Sequence, residues 1–402
     1  MHEDYKDTRV MKLFVLLFFF SSIINYYLFP TFLITEIFVF FVVIRGVIKG
    51  KAKAIHKHFF SALMLSFFSL IIFFYGSLLP KNELDGLVKE SYRFLFIPFM
   101  MLPFYFIDPD YKKIFYLILL LCRFCILFNL YEVIYINLID PGGIKNSLLG
   151  NAIYGFFNDV DTSDYFLPQG EFGIPFIRPF GLWLQPQKSA FVFPLAIIVE
   201  YVYSKDFDKK VYTNFWYVLF IVSCILSGAK TALIASIFIV YIIKIDFLKV
   251  RMSLKQFWFL TISLFLFVFG GVGIWSFSQS GHGSASAMSI ELATFVQLPL
   301  FSKLFGIGFI NTYDFLSYGF TGESFLIRFA VQIGVVFFIF YICFFALSII
   351  KKIDKINILL VVVIFFMILH YAVINVYFFT NIICFLFYYN NEFKNEKRNS
   401  IS

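Results

Sequence analysis

Charge is scarce in this sequence. Asp, Glu, Lys and Arg supply 14% of its 402 residues, while 60% are hydrophobic. A soluble domain needs about a quarter of its residues charged, so that class is excluded. Strict apolar–polar alternation is also missing, which excludes a membrane β-barrel. No loop carries a pair of cysteines. Cys122, Cys125, Cys224, Cys343 and Cys384 all fall in apolar stretches, and no disulfide is implied. Cys122-x-x-Cys125 has redox spacing, but inside an apolar run it reads as packing. There is no Walker loop, dinucleotide fingerprint, nucleophile elbow or metal-ligand spacing, so neither a cofactor nor a metal is expected. Internal repeats are absent as well.

What is present is apolar length. Val15–Phe20, Ile37–Ile44, Phe67–Phe74 and Val335–Phe345 each lie within long hydrophobic runs. About 20 such residues cross a bilayer as a helix, and backbone groups without water must be paired internally. The expected fold is therefore an all-α integral membrane protein with about twelve transmembrane helices in a single domain. They are read at 11–29, 31–48, 59–79, 94–107, 112–139, 179–203, 213–227, 230–248, 257–277, 325–350, 356–372 and 374–389. The first is expected to remain as a signal anchor. Pro98 and Pro103 should break or tilt the fourth.

The net charge of +8 is distributed unevenly. With both termini in the cytoplasm, most of the 33 Lys and Arg fall in cytoplasmic segments. Lys81, Lys89, Arg93, Lys145, Arg178, Lys230 and Lys303 fall outside, and Arg123, Lys188 and Arg328 fall within spans. This is the positive-inside pattern, and it accounts for the basic character without nucleic acid. Two long loops, at about 140–178 and 278–324, then face outward, where function concentrates. The polar tails of about ten residues are expected to be mobile.

Four cations gather at the outer ends of helices. Arg178 opens Arg178-Pro179-Phe180-Gly181-Leu182-Trp183-Leu184-Gln185-Pro186-Gln187-Lys188, whose Pro and Gly residues predict an irregular segment. Lys230 sits in the tight turn Ser227-Gly228-Ala229-Lys230-Thr231, and Arg328 begins the tenth helix. A phosphate or pyrophosphate suits such a set, because Arg grips it through a bidentate fork. Snorkelling to the interface, or pairing with a carboxylate, would equally satisfy any single cation.

Arg-x-x-Gly before a Pro-started helix, and Leu226-Ser227-Gly228-Ala229-Lys230-Thr231-Ala232 between two helices, resemble the O-antigen polymerase and O-antigen ligase superfamily. Leu304-Phe305-Gly306-Ile307-Gly308-Phe309, then Gly322-Glu323-Ser324-Phe325 and a helix carrying Gly334, are similar to it too. Lys230 stands where that family often has Arg. Its second loop usually carries an Arg, where this chain has Lys303 and His282.

The resemblance implies a GT-C-like membrane glycosyltransferase using undecaprenyl-pyrophosphate-linked oligosaccharides at the outer face of a bacterial plasma membrane. The foremost activity is polymerisation of O-antigen or capsule repeat units, with a chain-length regulator protein as partner. Ligation of glycan to lipid A-core and flipping of lipid-linked oligosaccharide are the alternatives. Arg178, Lys188, Lys230 and Arg328 would bind pyrophosphate. Arg178, His282 and Glu323 would be catalytic, with Asp314, Asp159, Asp161, Asp164 and Glu171 as further candidate bases. His370, inside a span, reads as a packing residue.

Overall fold

A computed structural model describes residues 2–20, 31–48, 56–79, 82, 102–140, 178–179, 181–183, 186–207, 213–244, 284–308, 318–320, 325–349, 354–369 and 377–393. Those residues are predominantly helical and include no strand, so the all-α architecture expected from the sequence holds. The helices are α1 (His2–Phe19), α2 (Thr31–Ile48), α3 (His56–Ser77), α4 (Leu102–Phe106), α5 (Tyr111–Ile134), α6 (Pro186–Ala190) and α7 (Val192–Asp206). They continue as α8 (Thr213–Leu226), α9 (Lys230–Lys244), α10 (Ser284–Gln297), α11 (Leu300–Phe305), α12 (Phe325–Ile349), α13 (Lys355–Leu369) and α14 (Tyr377–Tyr388). The helix expected at 257–277 lies outside the described residues. Tyr111–Ile139, which joins α5 to a π-helical turn, is long and apolar enough to cross a membrane.

The centre of the main bundle is α7. Every residue from Val192 to Glu200 is buried, and α7 packs against α5, α6, α8, α9, α13 and α14. A helix apolar on all sides belongs inside a bundle. Pro194 falls in its first turn, where the missing N–H breaks no helical hydrogen bond. The outer helices have the opposite pattern. Ile37, Phe40, Phe41, Ile44 and Val47 on α2, and Leu120, Phe124, Leu127, Ile134 and Leu138 along α5 and its π turn, are exposed at helical spacing. On the inward face of α5, Asn129 and Glu132 are buried. The outward stripe of α5 is thus apolar, while its inward face sets two polar groups among buried apolar ones.

One polar contact layer ties together the ends of many helices. Asp7 pairs with Arg45 at 3.3 Å and accepts from the Asp108 N–H at 3.2 Å, while Thr8 Oγ1 accepts from the Asp110 N–H at 2.8 Å. Asp110 caps α5, and its hydrogen bond to Lys113 holds its carboxyl below the usual range. Tyr389 donates to Asp206 at 3.1 Å, Lys355 donates to the Ile243 carbonyl at 2.8 Å, and Asn390 donates to Asp354. All these segments are the ones that the charge pattern assigns to a single side.

Three features depart from the sequence reading. The amino-terminal tail, expected to be mobile, is helical from His2 and anchored through buried Asp7 and Thr8. The 278–324 stretch, expected to be a loop, contains α10 and α11. The helix expected at 325–350, which is α12, is not straight: Gly334 breaks it with φ 75° and ψ 159°. Gly334 opens the backbone so that Ile307 N–H can donate to Val331 O at 3.1 Å and Gly308 N–H to Gln332 O at 2.9 Å. The two segments touch backbone to backbone. A Cβ on Gly334 would come within 2.3 Å of Gly306 N and 2.4 Å of Leu304 O.

That φ/ψ region is almost confined to glycine and costs other residues about 1–3 kcal/mol before any clash. Gly334→Ala is therefore expected to lower the thermal midpoint of the purified protein and to separate 304–308 from α12. A midpoint equal to wild type would show that this backbone contact does not stabilise the fold.

Candidate functional site

The irregular segment expected after Arg178 is present. Arg178 and Pro179 are non-helical, residues 181–183 form a turn, and α6 begins at Pro186 and ends one residue before α7. Gly181 adopts φ +68°, and a Cβ there would meet Ser189 Oγ at 2.5 Å. Only glycine lets the turn close so tightly on α6. Ser189 Oγ accepts from the Trp183 N–H at 3.2 Å. The Trp183 ring stacks on Phe378 at 5.6 Å, packs beside Phe379 at 4.8 Å and meets the edge of Phe19 at 5.7 Å. Trp183 thus fixes the segment against α1 and α14.

A second anchor comes from α5. Glu132 is fully buried, and its Oε2 accepts from the Gly181 N–H at 2.8 Å. One turn earlier on the same helix, Asn129 donates to Ser223 O at 3.1 Å, and its Oδ1 accepts from Ser227 Oγ at 3.4 Å. Ser227 precedes Gly228, at φ +62°, and Lys230, the first residue of α9. Residues at i and i+3 on a helix share a face. Asn129 and Glu132 therefore bring the Arg178-x-x-Gly181 segment and the Ser227–Lys230 turn to one end of α5. The helix α6, which carries Lys188, touches α9 as well as α7.

Arg178 and Lys188 are half-buried, and Lys230 is exposed. Three of the four predicted cations thus stand on segments in mutual contact. Arg328 is half-buried in the first turn of α12, a helix packed against α3, α10, α11 and α13. It belongs to a separate packing group centred on Ile307, Phe320, Ile327 and Val331. In that group Asn82 donates to Ile307 O at 2.9 Å and accepts from Tyr318 OH at 3.1 Å. His282, Glu323, Asp314, Asp159, Asp161, Asp164, Glu171 and His370 lie outside the described residues.

The cysteine reading agrees with the structure, since Cys122, Cys125, Cys224 and Cys384 are buried and free. Between them in α5, Arg123 donates to Glu200 Oε2 on α7 at 3.0 Å and lies 3.9 Å over the Trp216 ring. Glu200 is fully buried. The pair, with its cation–π contact, joins α5, α7 and α8 and offsets two charges within the apolar bundle. The sequence does signal this arrangement: Arg123 in an apolar run demands a carboxylate partner, and Glu200 is an acid in another such run. Nothing in the sequence pairs Glu132 with Gly181, because the match depends on how α5 docks.

No protein-family model matches this chain, and no curated protein sequence matches it either.

Proposed function

We propose that the protein is a polysaccharide repeat-unit polymerase of a bacterial plasma membrane. It transfers a growing glycan from undecaprenyl pyrophosphate to a lipid-linked repeat unit at the outer face. The observation carrying this reading is the convergence of Arg178-x-x-Gly181 and Ser227–Lys230 on Asn129 and Glu132. These are two of the segments on which the family resemblance rests. Exposed apolar stripes around buried polar residues favour a bilayer as the solvent.

In this reading the acceptor hydroxyl attacks the anomeric carbon of the donor sugar. The bond from that carbon to the pyrophosphate oxygen breaks, and the hydroxyl proton passes to a base. Charge builds on the departing pyrophosphate. Arg178, Lys188 and Lys230 stabilise it as preorganised donors, with Arg328 as the fourth cation of the reading. His282 and Glu323 are the candidate bases. The twelve-span arrangement has both termini in the cytoplasm, with 140–178 and 278–324 covering one outer cavity.

Expression in a bacterial strain lacking its own polymerase tests the activity. A ladder of glycan lengths on the cell-surface polysaccharide is expected. Single-repeat glycans throughout would reject polymerisation, and restored capping of lipid A-core in a ligase-deficient strain would identify a ligase instead. Orientation has its own test. A cysteine replacing Ser204, beside Lys205 in the contact layer of helix ends, should resist a membrane-impermeant thiol reagent in intact cells and react after permeabilisation. Labelling in intact cells would overturn the topology.

A further inference from the structure

The helical pair α10–α11 exposes a run of large apolar residues. Its outward positions are Ile290, Ala293, Val296, Leu300, Phe301 and Leu304. Val296 is 68% exposed, Leu300 71% and Phe301 57%. The side packed on the protein mixes apolar Leu292, Phe295 and Leu298 with polar groups, and Gln297 is exposed beside the apolar positions. Glu291 is fully buried, Thr294 Oγ1 donates to Gly319 O at 3.3 Å, and Lys303 is half-buried. What sets the pair apart is the density of large apolar residues left on its exposed side.

The apolar face does not stop at the pair. The Phe301 ring packs beside Tyr75 of α3 at 5.6 Å, and Phe74 and Leu78 next to it are 63% and 79% exposed. On the other side α11 is held against α12, where Ile339 and Phe340 are exposed. An apolar surface shared by three packed elements marks contact with a membrane or a partner. With 14 residues, α10 is only about 21 Å long, and α11 adds six residues after Pro299. Neither is long enough to cross a bilayer alone.

We propose that α10 and α11 lie in the membrane interface, with Val296, Leu300, Phe301 and Leu304 against lipid acyl chains. The 278–324 segment is then partly embedded rather than wholly a solvated loop. Continuity with the apolar faces of α3 and α12 selects the bilayer as occupant, because one lipid surface covers all three. The inference rests on the membrane reading above but not on the polymerase activity.

The test uses the full chain in vesicles of phosphatidylcholine and phosphatidylglycerol. Single cysteines replace Val296, Leu300 and, as a control on α5, Leu127, in a background with the five native cysteines changed to serine or alanine. Each carries an environment-sensitive fluorophore. Doxyl-labelled phosphatidylcholine should reduce fluorescence at 296 and 300 as it does at 127, and aqueous iodide should leave all three unchanged. Quenching at 296 and 300 by iodide but not by doxyl lipid would overturn the proposal while leaving the membrane reading intact. Resistance of those two sites to both quenchers would also overturn it, because protein rather than lipid would then cover the face. Failure of doxyl lipid to quench at 127 as well would remove the membrane reading along with the proposal.

Discussion

Arg178→Lys is expected to collapse the glycan ladder to short chains while the protein remains at wild-type level in the membrane. Charge is retained, so the loss would be geometric. A guanidinium holds two oxygens of a pyrophosphate through parallel hydrogen bonds, whereas an ammonium acts as a point charge on a flexible stem. Losing one preorganised donor to a developing anion costs about 3–4 kcal/mol, or about a hundred- to a thousandfold in rate. The Arg178 backbone gives a reason to expect the upper part of that range. It belongs to a segment clamped by Glu132, Ser189 and Trp183, so a shorter reach to the substrate cannot be recovered by moving the chain. Lys230→Ala should cost less, because Lys230 is exposed and orients its charge less firmly. Full-length chains from Arg178→Lys membranes would reject the phosphate-gripping role of Arg178.

The second large effect is expected at Glu132. In Glu132→Ala the Gly181 N–H loses its acceptor inside the bundle, at a cost of about 1–3 kcal/mol, which is about five- to 150-fold in the population of the closed turn. Glu132→Gln keeps an oxygen able to accept from Gly181, so it should rescue most of that loss. Hydrogen exchange of the peptide spanning 181–183 reads the turn directly, whatever the protein's activity. Exchange should accelerate in Glu132→Ala and stay near wild type in Glu132→Gln, with glycan lengths following the same order. Equal exchange in all three proteins would show that Glu132 does not hold the turn. Accelerated exchange in Glu132→Ala with an unchanged glycan ladder would keep the clamp and discard the catalytic reading of the Arg178 segment.

Much of this architecture is legible in the residues themselves. Apolar runs at 31–48, 213–227 and 230–248 become α2, α8 and α9 with nearly the expected bounds, because a run of that length has few ways to satisfy its backbone except as a helix. Pro and Gly between Arg178 and Lys188 correctly announce an irregular approach to a helix, since φ is locked at one residue and freed at the other. Gly228 announces the turn before Lys230 in the same way.

Other features depend on partners far away in the chain. Polar composition predicts a mobile amino terminus, yet Asp7 and Thr8 are buried because Arg45, Asp108 and Asp110 meet them. The 278–324 stretch looks like a loop because its apolar residues are interrupted by Ser, Gly and Gln. Packing against α3 and α12 makes part of it helical. Gly334 sits in an apolar run that reads as one continuous helix, and only the approach of Gly306–Gly308 explains the break.

By itself, the sequence determines the helical class, the apolar exterior and the places where the chain must bend, for those follow from local backbone chemistry and from the shortage of charge. It also points to four cations at helix ends, of which the structure brings Arg178, Lys188 and Lys230 onto contacting segments. Which helix those segments meet, and which buried groups hold them, the tertiary structure alone decides. Asn129 and Glu132 are separated from Ser227 and Gly181 by many residues, and their hydrogen bonds exist only because α5 packs against α7 and α8 with one rotation about its axis and not another. The same holds for Arg123 and Glu200. Each is costly alone in an apolar bundle, and docking at that rotation makes them neighbours.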